Sequence, residues 1–368
     1  MTEKIERQAL AVSRGGNGEA ATGAGTRLAR KAAEMPGTDK ADFPDKLLFP
    51  WGNKRRFNAY SDFLRRHYGT RLQKLSVNAG FSCPNRDGRK GWGGCVFCNN
   101  SAFNPSYCEP SKPIRVQLEE GKAFHAWRYR KSVKYIAYFQ AYSNTYAPLE
   151  VLKARYEEAL SVPGVAGLAI GTRPDCVNEE ILDYLARLSE RCLLHLEMGI
   201  ESCYDKSLRW MKRGHGFECA RKAFASASER GIPTGTHLIL GLPSQSREED
   251  LEQAEMVSSL PVKSLKLHQL QIIKGTALER DYASDPDRFR FFSLEEYIDF
   301  VIDFTERLSP SICIERFSGE APPRFQAGPT FGMIRADMVL QRIEKRMEER
   351  DTWQGKLAQQ SAADSSHG

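Results

Sequence analysis

The chain has 368 residues, 41% of them hydrophobic and 27% charged, enough apolar side chain for one large core or two modest ones. No run of about 18 apolar residues could cross a membrane as a helix, and the N-terminus lacks the basic start and apolar block of a secretory signal, so a cytoplasmic location and no membrane partner are expected. The formal charge of +6 fits an anionic partner without requiring one.

Residues 1–45 are rich in Gly, Ala and mixed charge, and "SRGGNGEAATGAGTR" cannot bury enough surface to offset its ordering entropy, so this tail reads as disordered. A basic arm follows over 46–73. From there short apolar runs alternate with helical stretches. The expected strands are Lys74–Phe81, Lys134–Ala141, Val165–Gly171, Leu193–Ile200, Thr234–Leu242 and Ser264–Ile272. Helices are expected around 115–131, 147–160, 178–190, 217–230, 246–258 and 293–308, with Gly164, Gly231, Gly241 and Pro243 marking junctions. Runs such as "GLAIG" and "HLILGL" are apolar without alternation, as strands covered on both faces are. Six βα units in succession over 74–320 predict an α/β fold, a partial (β/α)6-type TIM barrel. A helical extension over 321–355, with one basic helix around 334–349, and a second disordered tail, 356–368, complete the chain. Active sites of such barrels lie at the C-terminal ends of the strands.

The first strand runs into "GFSCPNRDGRKGWGGCVFC", which places Cys83, Cys95 and Cys98 in one loop. Nine cysteines is an odd number, and in a cytosolic chain free or metal-binding thiols are commoner than disulfides. Three thiolates on a [4Fe–4S] cluster leave one iron open, and Phe97 would cover the cluster or a bound adenine. Two other readings stay open on spacing alone: a four-thiolate zinc site that adds Cys108, and plain buried thiols. Cys192, Cys203, Cys219 and Cys313 read as structural.

"LRRHYGTRLQKLSVNAGFSCPNRDG", "GGCVFC", "YFQAYSNTYA", "GTRPDC", "EMGIES", "RGHGF" and "LGLPSQS" resemble radical S-adenosylmethionine (SAM) proteins related to the Elongator catalytic subunit, over roughly residues 60 to 320. The resemblance does not extend to an acetyltransferase domain, so acetyl transfer is not expected. The resemblance implies a radical SAM barrel in which Cys83, Cys95 and Cys98 hold the cluster. It further implies that Gln140, in "FQAYS", meets the methionine amino group, and Arg213 its carboxylate. Glu197 and Ser202 would lie at the ribose, and Gly241 and Pro243 would let the backbone approach adenine. Arg173 and Asp175 stand at a strand end, where they bind substrate or brace the loop. Cys176, in "TRPDC", either quenches a substrate radical or ligates nothing, the second being the expectation. His215 and His237 read as structural.

"NKRRFNAYSDFLRRHYGTR" and "FHAWRYRKSVK" interleave cations with aromatics, so Tyr68, Trp127 and Tyr129 are candidate stacking partners for a splayed RNA base. The Elongator relative modifies wobble uridine, which implies tRNA as partner and the uridine side chain as target. A porphyrin or metabolite is the alternative, because "LQIIKGTAL" resembles a segment of oxygen-independent coproporphyrinogen oxidases. A zinc-stabilised RNA-binding module without catalysis is a third. No second cluster motif occurs in the chain, so a flavodoxin or ferredoxin is the expected electron donor.

Overall fold

The computed structural model describes residues 48–126, 134–319, 321–332 and 334–358. The expectations for 1–45, for Trp127 and Tyr129, and for most of 356–368 fall outside them.

The described residues form a seven-stranded sheet in sequential order, every neighbouring pair parallel. Its strands are β1 (Leu72–Val77), β2 (Lys134–Phe139), β3 (Val165–Thr172), β4 (Leu193–Met198), β5 (Thr234–Leu240), β6 (Ser264–Gln269) and β7 (Cys313–Arg316). The six expected strands are all present. The seventh, "CIER", is a four-residue strand half made of charged residues, too short and too polar to stand out in sequence.

Strand alternation sorts the side chains into two sets. Leu75, Phe139, Leu168, Ile170, Leu196, Leu238 and Leu267 point outward into the core shared with the helices. That core is closed by α2 (Ile114–His125), α3 (Leu149–Leu160), α4 (Glu179–Ser189), α6 (Phe217–Glu229), α7 (Arg247–Ser258) and α9 (Leu294–Arg307), with a short α5 (Asp205–Trp210) and α8 (Ala277–Ser284) in the connections. Capping fixes several helix starts: Ser246 with Glu249 at α7, and Ser293 with Glu296 at α9, form reciprocal capping boxes. The last helix, α10 (Ala336–Glu349), buries Val339, Ile343 and Met347 and lays Arg346 against Asp299 of α9 at 2.5 Å.

The inward-facing set is different. At the N-terminal end of the strands the lumen is stopped by α1 (Tyr60–Tyr68), whose Tyr60 and Leu64 pack on Ile136, Tyr138, Ala169 and Cys313. This helix is part of the stretch read as a basic arm. Its arginines serve the protein itself: Arg55 pairs with Glu344 of α10 at 2.5 Å, and Arg66 donates to the Trp51 carbonyl. The chain before α1 runs beside β7, where the Ile314 amide donates to the Asn58 carbonyl at 2.7 Å. The arm therefore closes the barrel at the end remote from the cysteines.

Above this plug lies a ring of buried charge. Glu197 of β4 accepts from Lys74 of β1 and from Lys266 of β6, both at 2.5 Å, and Lys74 also meets Glu315 of β7 at 2.8 Å. Burial pushes the Glu197 carboxyl up, but the Lys266 and Lys74 ammonium groups outweigh it and hold the acid well below the usual carboxylate range. Two lysines and two glutamates balance in charge, which is the condition for burying them at all. Gly235 leaves the space that His195 needs, since a Cβ there would stand 2.5 Å from its Nε2.

Candidate active site: a cysteine-lined cavity at the strand ends

The loop after β1 turns back through Gly88, Gly93 and Gly94, all at positive φ, which only glycine adopts freely. Asn85 anchors it: its carbonyl accepts from the Gly94 amide at 2.9 Å, and its side chain donates to the Lys212 carbonyl at 2.6 Å. The result brings Cys83, Cys95 and Cys98 to one wall of a cavity of about 240 Å³ over the C-terminal ends of the strands. None is in a disulfide.

Cations surround the thiols. Arg213 donates to Cys95 Sγ at 3.5 Å, donates to the Gly199 carbonyl, and faces Glu201 at 3.7 Å. Arg173 points an Nη at the same sulfur from 3.8 Å, while Arg86 donates to the Cys98 carbonyl at 2.9 Å. Asn85 Oδ1, Arg86 Nε and Arg213 Nε are buried without a hydrogen-bond partner. Burial without partners is costly, and the two guanidinium N–H groups, on residues that line the cavity, fit a site built for an anionic guest. Tyr142, Glu201 and Lys212 all hold positive φ, and the first two line the cavity. Non-glycine residues persist in that region only where their surroundings enforce it, and they collect at functional sites.

Cys108 does not complete the set. It is absent from the cavity wall, its thiol donates to the Ser76 carbonyl at 3.0 Å, and burial pushes it up to about 12. Among the described residues, only His195, Glu197 and Glu315 bring three such ligand atoms within 4.8 Å of one another. Thiols around a single zinc would stand ~3.8 Å apart, so the three cysteines are spread wider than one zinc ion requires. The His195 group carries no vacancy for a cation, because Lys74 and Lys266 already supply the positive charge there. Three free thiols, an excess of guanidinium and unpartnered buried N–H groups fit a [4Fe–4S] cluster with one iron left to a ligand.

A model of the Radical SAM superfamily matches residues 83–257, and one of the Radical_SAM C-terminal domain matches 262–349. YtqA of Bacillus subtilis is 34% identical over 314 residues, which cover 84% of this chain and 96% of that protein. The chain belongs to the radical SAM superfamily. YhcC of Escherichia coli is 36% identical, covering 77% of this chain and 92% of the relative. Mouse Elongator complex protein 3 is 30% identical over 46% of this chain but only 31% of its own length. The archaeal Methanocaldococcus infernus Elp3 superposes with a TM-score of 0.59 at 16% identity, over 77% of this chain and 64% of that one. The protein is thus a radical SAM enzyme with Elongator-type relatives, in a superfamily that generally uses a [4Fe–4S] cluster and SAM.

Within this radical SAM barrel, Phe97, Gln140, Arg173, Glu197 and Arg213 line the cavity beside the cysteines. Gln140 accepts from Ser76 Oγ at 3.0 Å, which fixes its amide over the β2 end. Glu197 reaches the wall, but each of its oxygens is already held by a lysine, Oε1 by Lys74 and Oε2 by Lys266. The other expected site residues lie elsewhere. Ser202 is buried away from the cavity and donates to Gln245 at 2.7 Å. Gly241 faces a second cavity, and Pro243 lines neither. Asp175 braces the loop: it chelates Arg173 at 2.8 and 2.9 Å, accepts from Lys90 at 2.6 Å, and is not on the wall. Tyr68 packs with Leu72 and Leu193 at the N-terminal ends of the strands, the wrong end for substrate.

Sequence reasoning missed Glu201, although it is the second acid of the same "EMGIES" segment. It stands on the wall where β4 ends, whereas Glu197 faces the lumen within the strand. It also took His237 as structural, yet that ring lines the cavity with His268 and Arg316. The segment 270–278 likewise reaches it, through Leu270, Gln271 and Ile273. The second cavity, about 390 Å³, shares Gln269, Leu270 and Gln271 with the first and carries Phe291, Phe331, Arg290 and Arg335.

Proposed function

We propose that Cys83, Cys95 and Cys98 hold a [4Fe–4S] cluster that reductively cleaves SAM, and that the substrate is tRNA, modified on the side chain of its wobble uridine. The observation that carries the first part is the three-thiol wall with its unsatisfied guanidinium groups. Cys83, Cys95 and Cys98 would hold such a cluster, which would supply the electron for reductive cleavage of the S–C5′ bond of SAM to methionine and a 5′-deoxyadenosyl radical.

The chain's residues bind and orient. Arg213, fixed by the Gly199 carbonyl, keeps Nε for the methionine carboxylate. Gln140 takes the amino group through its oxygen. Glu201 takes the ribose position in preference to Glu197, because both Glu197 oxygens are already held by the buried Lys74 and Lys266. Phe97 excludes water.

Two features support RNA. The first is the likeness to Elongator complex protein 3. The second is the adjoining cavity, where Phe291 and Phe331 offer faces for a base and the exposed Arg290 and Arg335 suit phosphate. The basic arm gives no support, because it sits at the opposite end of the barrel.

The test is anaerobic reconstitution with iron and sulfide, reduction in the presence of SAM, and assay of 5′-deoxyadenosine, followed by nucleoside profiling of tRNA from a deletion strain. Zinc without 5′-deoxyadenosine would refute the radical reading. An unchanged wobble-uridine profile would refute the tRNA reading and leave a small molecule as substrate.

A further inference from the structure

A radical SAM site needs one electron per cleavage, and the donor must approach the cluster from outside. The cysteine loop has an outer face that neither cavity uses. Its tip carries Trp92, 80% exposed and the most exposed of the large apolar side chains among the described residues. Trp92 lines neither the cysteine cavity nor its neighbour. Single exposed apolar residues are ordinary, so exposure alone says little.

Three observations together say more. The tip is built rather than loose: Trp92 bridges to Asp87, the Gly88 amide donates to the Gly91 carbonyl at 3.2 Å, and the indole lies against Gly88, where a Cβ would stand 2.3 Å from it. The rim is basic. Arg89 and Lys212 are exposed around it, with Asp87 the acid of the same turn, while Lys90 is exposed but paired with Asp175 at 2.6 Å, and Lys212 is tied to the loop through Asn85. Finally, Trp92 is three residues from Cys95, so their backbones are at most about 11 Å apart along the chain. Electron tunnelling falls steeply with distance, which favours docking over this loop.

Resting on the reading of Cys83, Cys95 and Cys98 as cluster ligands, we propose that the face formed by Trp92, Arg89 and Lys212 docks an acidic one-electron carrier protein, with the indole as apolar anchor and the cations steering the approach. Trp92 lines neither cavity, so a base stacked on it would not occupy the reaction site.

The experiment uses the reconstituted full-length enzyme with two reductants, dithionite and a bacterial flavodoxin hydroquinone, and separately titrates oxidised flavodoxin binding. The variants are Trp92→Ala, Arg89→Glu and Lys212→Glu, with Trp92→Phe to show that the loop still folds. Expected are dithionite-driven 5′-deoxyadenosine formation within about twofold of wild type, flavodoxin-driven formation down about tenfold at subsaturating donor, and flavodoxin affinity down about tenfold, or 1.4 kcal/mol. Wild-type affinity should fall as salt rises. Unchanged flavodoxin binding and flavodoxin-driven rates would overturn the proposal. So would weakened tRNA binding with donor binding intact, which would make the face an RNA platform. If wild type gives no 5′-deoxyadenosine with dithionite, the cluster reading fails, and the binding titration still decides whether this face takes an acidic carrier.

Discussion

The barrel holds two concentrations of buried charge, and they are solved in opposite ways. In the lumen, Lys74, Lys266, Glu197 and Glu315 cancel one another within hydrogen-bonding distance. At the strand ends, Arg86, Arg173 and Arg213 crowd the thiols; Arg173 has Asp175, but Arg86 and Arg213 keep buried N–H groups without partners. A network that closes on itself is structure. One left open is a site. The distinction predicts that lumen changes act on stability, and that cavity changes act on binding and chemistry.

The sharpest test is Cys98→Ala. It should remove cluster iron and reduce 5′-deoxyadenosine to background, while the melting temperature of the metal-free chain stays close to wild type, since the Cys98 side chain is only half-buried on a loop. Iron retained at wild-type content would break the assignment.

Glu197→Ala should do the reverse. It leaves the buried Lys74 and Lys266 to share Glu315 alone, at a cost of about 3–5 kcal/mol in denaturant unfolding. A loss below about 1 kcal/mol, with SAM binding lost instead, would return Glu197 to the ribose.

Arg213→Lys divides the two roles within one residue. Lysine keeps the charge but cannot reach the Cys95 sulfur, the Gly199 carbonyl and a carboxylate together. SAM affinity should fall about tenfold, or 1.4 kcal/mol, with iron content retained. Iron lost in step with affinity would make Arg213 a support of the cysteine loop instead.

These contrasts also mark what the sequence could tell. Strands β1 to β6 were legible because apolar or alternating apolar residues recur between turn residues, from the continuous "GLAIG" of β3 to the alternating "LQKLSV" of β1, and the cysteines because their loop follows a strand. Strand β7 was not, since Glu315 is buried only by virtue of lysines from β1 and β6, a relation no local pattern encodes. Helix α1 hid behind Arg65, Arg66 and His67, although Tyr60 and Leu64 have the i, i+4 spacing of a buried stripe. Choosing Glu197 over Glu201 required knowing where β4 stops. Strand ends are set by tertiary contacts, here the Glu201 amide donating to the His237 carbonyl at 2.9 Å.

The remaining effect appears only as a pH dependence and concerns His195, whose Nε2 lies 3.0 Å from Ser264 Oγ. Burial lowers this imidazole to about 4, and the Lys74 and Lys266 charges add to that against the pull of Glu197. The unfolded chain takes up the proton below its ordinary value near 6.5, whereas the folded lumen refuses it until about 4. The stability this contributes is therefore complete above pH 6.5 and lost as pH falls toward 4, about 2 kcal/mol between pH 7.5 and 5. His195→Gln keeps a hydrogen-bonding group toward Ser264 without a titrating ring. Denaturant unfolding of the metal-free chain should then lose less stability between those two pH values in the variant than in wild type. Equal losses would mean that the lumen accepts the extra proton, and that its charge balance is looser than four interlocked ion pairs imply.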